Sequence, residues 1–150
     1  MIGLIENIQF YSEAYRQIAF VSAVLGGFSV AFLGVILVAK DQRRLTGWTI
    51  ALSIAASVMF ILVTFLNSFL AFTLPGFNAK LLTDLPPQVL SVAEFGVLAF
   101  YGGVFALLAS LALGGWMRSK AVGWFATVLT SVAAIAILQT AYVLGKNLNG

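Results

Sequence analysis

The sequence predicts an all-α integral membrane protein, a four-transmembrane-helix bundle with an N-terminal amphipathic interfacial helix. Two observations predict this class. Of the 150 residues, 61% are hydrophobic and only 9% are charged, whereas an average soluble domain is roughly 25% charged. Four separate stretches are also long enough to cross the hydrocarbon of a bilayer, which takes about 20 apolar residues. A soluble chain of this size could not cover its surface with so few charges.

The predicted spans are about 17–39, 47–74, 95–117 and 121–144, and none has a charged residue inside its apolar run. The second is long enough to tilt or to protrude from the hydrocarbon. None alternates polar with apolar residues, as the strands of a membrane barrel must. We therefore expect residues 17–150 to form one transmembrane domain.

Residues 1–16 have a different pattern. Leu4, Ile8, Tyr11 and Tyr15 recur at helical spacing, and polar residues occupy most of the other positions. This pattern predicts an amphipathic helix lying in the membrane interface. An equally good interpretation is that residues 1–16 form a helical extension that only sets the tilt of the first span. The segment lacks the positive n-region and short h-region of a signal peptide, so we do not expect it to be cleaved.

The basic residues predict the orientation of the spans. Five of the eight lie in the two short loops that join spans one to two and three to four: Lys40, Arg43, Arg44, Arg118 and Lys120. By the positive-inside rule, these loops are cytoplasmic and both termini are extracytoplasmic. We expect a plasma (inner) membrane location. The net charge of +3 comes from these residues, so it indicates no nucleic-acid partner.

The segment between spans two and three contains two further signals. Pro75-Gly76 predicts a turn that ends span two, and Pro86-Pro87 predicts that no regular helix immediately precedes span three. Ser91-Val-Ala-Glu94 matches a capping box, in which the serine and the glutamate satisfy the first backbone N–H groups. The alternative is that Glu94 is a cation ligand at a pore mouth.

An internal repeat appears at an offset of 76 residues. It aligns Gly26-Gly27 with Gly102-Gly103 and Gly47-Trp48 with Gly123-Trp124, without a gap. The match indicates two tandem helical hairpins that run in the same direction, and equivalent glycines should then have equivalent surroundings. The alternative is that any two membrane hairpins with short basic loops look alike.

Small residues on spans one and three recur at about every fourth position. Because lipid offers no hydrophobic drive for helix association, close approach of small residues supplies it. We expect these faces to let spans one and three pack closely. The predicted helix-packing residues are Ala23, Gly26, Gly27, Gly102, Gly103, Ala106, Ser110 and Gly114.

Polar residues within or beside the spans are candidates for specific contacts or for a pore lining. They are Ser57, Thr64, Asn67, Glu94 and Gln139. Hydroxyl groups can bond to their own helix or across the bundle without any functional role. The functional alternative is a narrow wet path lined by span two together with Asn67 and Gln139. Of these polar side chains, the amides of Asn67 and Gln139 have the greatest need for hydrogen-bond partners.

The residues that are missing argue against catalysis. The sequence has no histidine and no cysteine, which excludes haem ligation, thiolate metal sites and the usual nucleophile–base pairs. The spans contain no ionisable residue of the kind that proton relays and voltage sensors use. We therefore expect no enzymatic activity, no metal and no cofactor.

Two stretches resemble the Orai calcium-channel family. Gly26-Gly27-Phe28-Ser29 is similar to the small-residue start of that family's first span, and Gly47 through Pro75 aligns with its second span without a gap. The resemblance implies a hexameric cation channel lined by span one. The sequence departs from the family where Val35 occupies the position of the filter glutamate, and the basic extension before the first span is absent.

These observations favour a non-catalytic subunit that packs through helix faces in a homo- or hetero-oligomeric membrane assembly. Its expected partners are the lipid bilayer and either further copies of the chain or other membrane subunits. The alternative is a homo-oligomeric channel or pore for ions or small solutes.

Overall fold

A computed structural model describes residues 2–38, 44–73 and 87–148, and Ser119 is the one residue in these ranges outside a helix. The four helices are α1 (Ile2–Val38), α2 (Arg44–Thr73), α3 (Pro87–Arg118) and α4 (Lys120–Leu148). Each contains a stretch long and apolar enough to cross a membrane: Ser12–Val38, Leu45–Thr73, Ser91–Arg118 and Lys120–Thr140. The prediction of an all-helical chain with four such helices is confirmed, and the stretches differ from the predicted spans only at their ends.

Helix α1 has no break between the predicted interfacial segment and the predicted first span. It is continuous from Ile2 to Val38, because the sequence offers no glycine or proline between residues 4 and 25 to interrupt it. Ser12 is buried, and its hydroxyl donates a hydrogen bond to the Ala71 carbonyl oxygen of α2 at 3.2 Å. Around Ser12 the helix therefore packs against α2.

Helix α3 begins earlier than the sequence predicts. Its first residue is Pro87, a position that suits proline because the first turn of a helix needs no backbone N–H donor. Ser91 and Glu94 consequently lie beyond the first turn, within the helix. The predicted capping box is therefore wrong, and Glu94 has no capping role. The predicted turn at Pro75-Gly76 lies outside the described residues.

Helices α3 and α4 are joined by a very short turn at Ser119. The Ser119 hydroxyl accepts a hydrogen bond from the Val122 backbone N–H at 3.2 Å, as a helix N-cap does. Two glycines make this turn possible. A methyl group on Gly115 would lie 2.7 Å from Ala126 Cβ, and one on Gly123 would lie 2.6 Å from Trp116 Cδ2. The two helices approach too closely for a larger residue at either position.

Neighbouring helices in the chain pack against one another as an antiparallel series. Helix α2 lies between α1 and α3, which contact each other only slightly, and α4 packs on α3. Within the described residues, α4 contacts neither α1 nor α2. The arrangement is thus a three-helix unit with a fourth helix on its outer side, rather than a closed ring of four.

Phe60 of α2 is the centre of the core. Its side chain is fully buried together with Ala56, and Leu107 of α3 completes the cluster. Phe60 also meets Phe100 of α3 edge to face, with ring centroids 6.2 Å apart. Because Leu25 of α1 packs against the same cluster, α1 and α3 are held together largely through α2.

Candidate functional site

Three of the predicted packing glycines lie against α2. A methyl group on Gly26 would lie 3.3 Å from Phe60 Cβ, and one on Gly103 would lie 3.1 Å from Phe60 Cε1. A methyl group on Gly102 would lie 3.1 Å from the sulfur of Met59. At these three glycines α1 and α3 approach α2 rather than each other, so the expected close packing of spans one and three is wrong at these positions.

Helices α1 and α3 do meet where Phe32 covers Gly114, since a methyl group there would lie 2.9 Å from Phe32 Cζ. Two further predicted packing residues lie on the inner side of α3. Ala106 packs against the core cluster. Ser110 is buried, and its hydroxyl donates to the Leu107 carbonyl oxygen at 2.8 Å. Ser110 therefore needs no partner on another helix.

Ala23 and Gly27 are instead exposed on the outside of α1. A methyl group on Gly27 would have no neighbour within 4 Å. The expectation of equivalent surroundings is wrong for Gly27 and Gly103, because Gly103 is buried against Phe60. One residue corresponds to a rotation of about 100° on a helix, so α1 presents Gly26 to α2 and turns Gly27 away.

Ala23 and Gly27 line an elongated depression that we call the α1–α2 groove. It consists of two adjoining hollows of about 380 and 620 Å³, which share Ala23, Thr64 and Ser68. Along α1 it extends from Arg16 to Val30, about 21 Å at 1.5 Å per residue. The groove therefore follows most of the length that a transmembrane helix needs.

The hydroxyl groups of α2 are mostly bonded to their own helix. Thr64 in the groove donates to the Phe60 carbonyl oxygen at 2.8 Å, and Ser57 donates to the Ser53 carbonyl oxygen at 2.8 Å. Such bonds satisfy a hydroxyl within an apolar helix and require no functional partner. Hydrogen bonds within α2 thus satisfy the hydroxyl groups of both Ser57 and Thr64.

A second depression, which we call the α1–α3 cleft, opens between α1 and α3 with α2 at its floor. Its volume is about 650 Å³. Most of its lining is apolar, from residues such as Ile18, Val97 and Phe100, and Tyr15 of α1 and Tyr101 of α3 also line it. None of its lining residues belongs to the α1–α2 groove.

The cleft brings together two of the predicted polar residues, Asn67 and Glu94. The Asn67 side chain is buried, and its Nδ2 donates to the Val63 carbonyl oxygen at 2.9 Å. It lies beside Gly96, where a methyl group would be 3.8 Å from Nδ2. Glu94 is exposed, and of the described residues that line the cleft it is the one that is charged.

Gln139 lies far from this cleft in the fold. It is exposed on α4, and α4 does not contact α2 in the described part of the chain. The predicted path lined by both Asn67 and Gln139 is therefore not formed within one chain.

Sequence reasoning missed the two tyrosines of the cleft. Tyr15 had been assigned to the interfacial helix, and Tyr101 had no assigned role. One signal was present, because Glu94 and Tyr101 are seven residues apart and so share a helix face. That signal became useful only once α3 was known to include Glu94.

Comparison of the chain with protein-family models, curated proteins and solved structures finds no match.

Proposed function

We propose that this chain is a non-catalytic membrane subunit that binds a transmembrane helix of a neighbouring subunit in its α1–α2 groove. The outward-facing side chains support insertion into a bilayer. Large aromatic residues are strongly exposed, among them Phe20, Phe65 and Phe72. So much exposed apolar surface would cause association in water, whereas lipid or another helix would cover it.

The observation that carries the proposal is the contrast between Gly26 and Gly27. A methyl group on Gly26 would lie 3.3 Å from Phe60 Cβ, whereas one on Gly27, the next residue, would have no neighbour within 4 Å. Small residues on an outer helix face allow another backbone to approach closely, which is the main source of helix association in lipid. Ala23 and Ser68 extend the same small-residue lining. A helix that binds in the groove can therefore approach α1 as closely as α2 does.

The experiment compares Gly27→Leu with two matched glycine variants in gently solubilised protein. We expect the wild type to purify as an oligomer or with another subunit, and Gly27→Leu to lose that partner while keeping its helical content and melting temperature. Gly47 is also exposed with nothing within 4 Å, but it lies outside the groove, so Gly47→Leu should assemble normally. Gly103→Leu should unfold the chain itself because it collides with Phe60. Native mass, read beside circular dichroism, distinguishes these outcomes.

Two results would count against this function. A wild type that is monomeric both in mild detergent and in lipid nanodiscs has no partner in the groove. Normal assembly of Gly27→Leu would show that any partner binds elsewhere. If the native species is a closed ring of this chain alone, flux measurements in liposomes then decide whether it is the alternative pore, because a pure packing assembly passes no ions.

A further inference from the structure

We infer that the α1–α3 cleft binds an amphiphile with an ammonium head group and an alkyl chain. The inference is independent of the groove, because the two depressions share no lining residue. It rests on three features of the cleft: its size, its apolar walls, and the chemistry of its few polar residues.

The cleft has the dimensions and walls of a small-molecule site. Its volume of about 650 Å³ falls within the range of about 300–1,000 Å³ that is usual for ligand pockets. Ile18 and Val97 supply apolar surface from opposite helices, and Phe100, packed against Phe60, lies between the cleft and the core. An alkyl chain can therefore pack against these apolar side chains.

The polar residues of the cleft select a positive head group. Glu94 supplies a carboxylate, and among the described residues that line the cleft none is basic. Since Glu94 lies within α3 beyond the first turn, its carboxylate is not engaged in capping the helix. An ammonium group gains a charge-assisted contact with such a carboxylate, whereas a phosphate or carboxylate head group would be repelled.

Aromatic residues strengthen the assignment. Tyr15 and Tyr101 line the cleft from α1 and α3, and aromatic rings attract ammonium groups through their negative faces. Asn67 adds a buried amide at the floor, whose oxygen is a further acceptor for a primary ammonium. One carboxylate, two tyrosines and an amide, set at an apolar cleft, thus match a cationic amphiphile.

The test measures binding of dodecylammonium, labelled with a fluorophore on its alkyl chain, to the protein in nanodiscs of zwitterionic lipid. We expect saturable binding to the wild type and a loss of affinity of about tenfold in Glu94→Gln, the size of effect expected from removing a charged contact. Tyr101→Leu should weaken binding severalfold. Gly96→Leu, which fills the space beside Asn67, should abolish it. Melting temperatures of all variants show that the fold is retained.

The matched control is Glu13→Gln. Glu13 is an exposed carboxylate on α1, and it does not line the cleft, so its removal should leave affinity unchanged. Equal losses in Glu13→Gln and Glu94→Gln would mean that the probe responds only to surface charge, and would overturn the site. Dodecanol that competes as well as unlabelled dodecylammonium would overturn the head-group assignment. Undiminished binding in Gly96→Leu would place the probe outside the cleft.

Discussion

The indole N–H of Trp116 in α3 donates a hydrogen bond to the Thr127 hydroxyl oxygen of α4 at 3.0 Å. The Thr127 hydroxyl in turn donates to the Gly123 carbonyl oxygen at 2.8 Å. The centroids of the Trp116 and Trp124 rings are 5.9 Å apart. Because α4 packs on α3 alone in the described part of the chain, this side-chain bond is one of the few polar links that hold α4 in place.

Removing this bond should weaken the attachment of α4. In a double-mutant cycle of Trp116→Phe and Thr127→Val, we expect a coupling free energy of about 0.6 kcal/mol, the average for hydrogen bonds between membrane helices. Unfolding of the protein in bicelles by increasing SDS measures it. Thr130→Val is the control, since the Thr130 hydroxyl donates only to α4 carbonyl groups and should show no coupling to Trp116. Equal coupling for Thr127 and Thr130 would contradict the prediction.

The glycines at the starts of α2 and α4 should differ sharply in their tolerance of alanine. Gly123→Ala places a methyl group 2.6 Å from Trp116 Cδ2 and 3.0 Å from Trp116 Cα. The backbone atom cannot rotate away, so we expect a loss of about 1–3 kcal/mol in the free energy of unfolding. Gly47→Ala meets nothing within 4 Å and should be neutral or stabilise by up to about 1 kcal/mol through helix propensity. Similar unfolding curves for both variants would instead favour the equivalence that the 76-residue repeat predicts.

Ser53 and Ser57, one turn apart on α2, should respond in opposite directions to alanine. Both are buried, but Ser57 donates a hydrogen bond whereas the Ser53 hydroxyl has no partner among the described residues. An unsatisfied buried hydroxyl costs about 1–3 kcal/mol, so Ser53→Ala should raise stability. Ser57→Ala should lower it by about 1 kcal/mol. The same unfolding measurement applies, and a destabilised Ser53→Ala would show that its hydroxyl has a bonding partner.

The four helices could be predicted from sequence because each apolar run is long enough to form one and is bounded by charged or turn-forming residues. Which face of each helix lies inside could not be predicted. A helix that is apolar all round has no polar side to mark its exterior, so Gly26 and Gly27 are indistinguishable by composition. Only the packing of Phe60 between α1 and α3 decides that Gly26 is the buried one.

Two polar residues of the cleft, Asn67 and Glu94, could be predicted from the sequence, but the cleft itself could not. Asn67 and Glu94 were identified as polar residues near span ends, yet their meeting in one cleft depends on the register of α2 against α3. The residue at which α3 begins also determines where Glu94 lies in the helix. The prediction that Pro86-Pro87 leaves no regular helix immediately before span three is wrong, because Pro87 itself begins α3. That placement takes Glu94 out of a cap and leaves it exposed at the cleft.

The orientation of the helices in the membrane can be tested with one cysteine on each side. Thr49 of α2 donates to the sulfur of Met117 in α3 at 3.8 Å, so the start of α2 and the end of α3 share one end of the molecule. Ser12 and Ala71 meet at the other end. The chain has no cysteine of its own, so an introduced cysteine is the one that reacts. Glu13 is exposed whereas the neighbouring Ser12 is buried, so Glu13 is the better labelling position at this end. The positive-inside rule predicts that the basic end, with Arg118 and Lys120, lies in the cytoplasm.

We therefore expect a membrane-impermeant maleimide to label Glu13→Cys in intact cells. Ser119→Cys should react only after the membrane is permeabilised, since Ser119 is exposed beside those basic residues. Labelling of both variants in detergent shows that each thiol is reactive and serves as the control. Labelling of Ser119→Cys but not of Glu13→Cys in intact cells would reverse the topology and place both termini in the cytoplasm. The cleft at the Glu94 end would then face the cytoplasm, and its ammonium amphiphile would have to come from the inner leaflet.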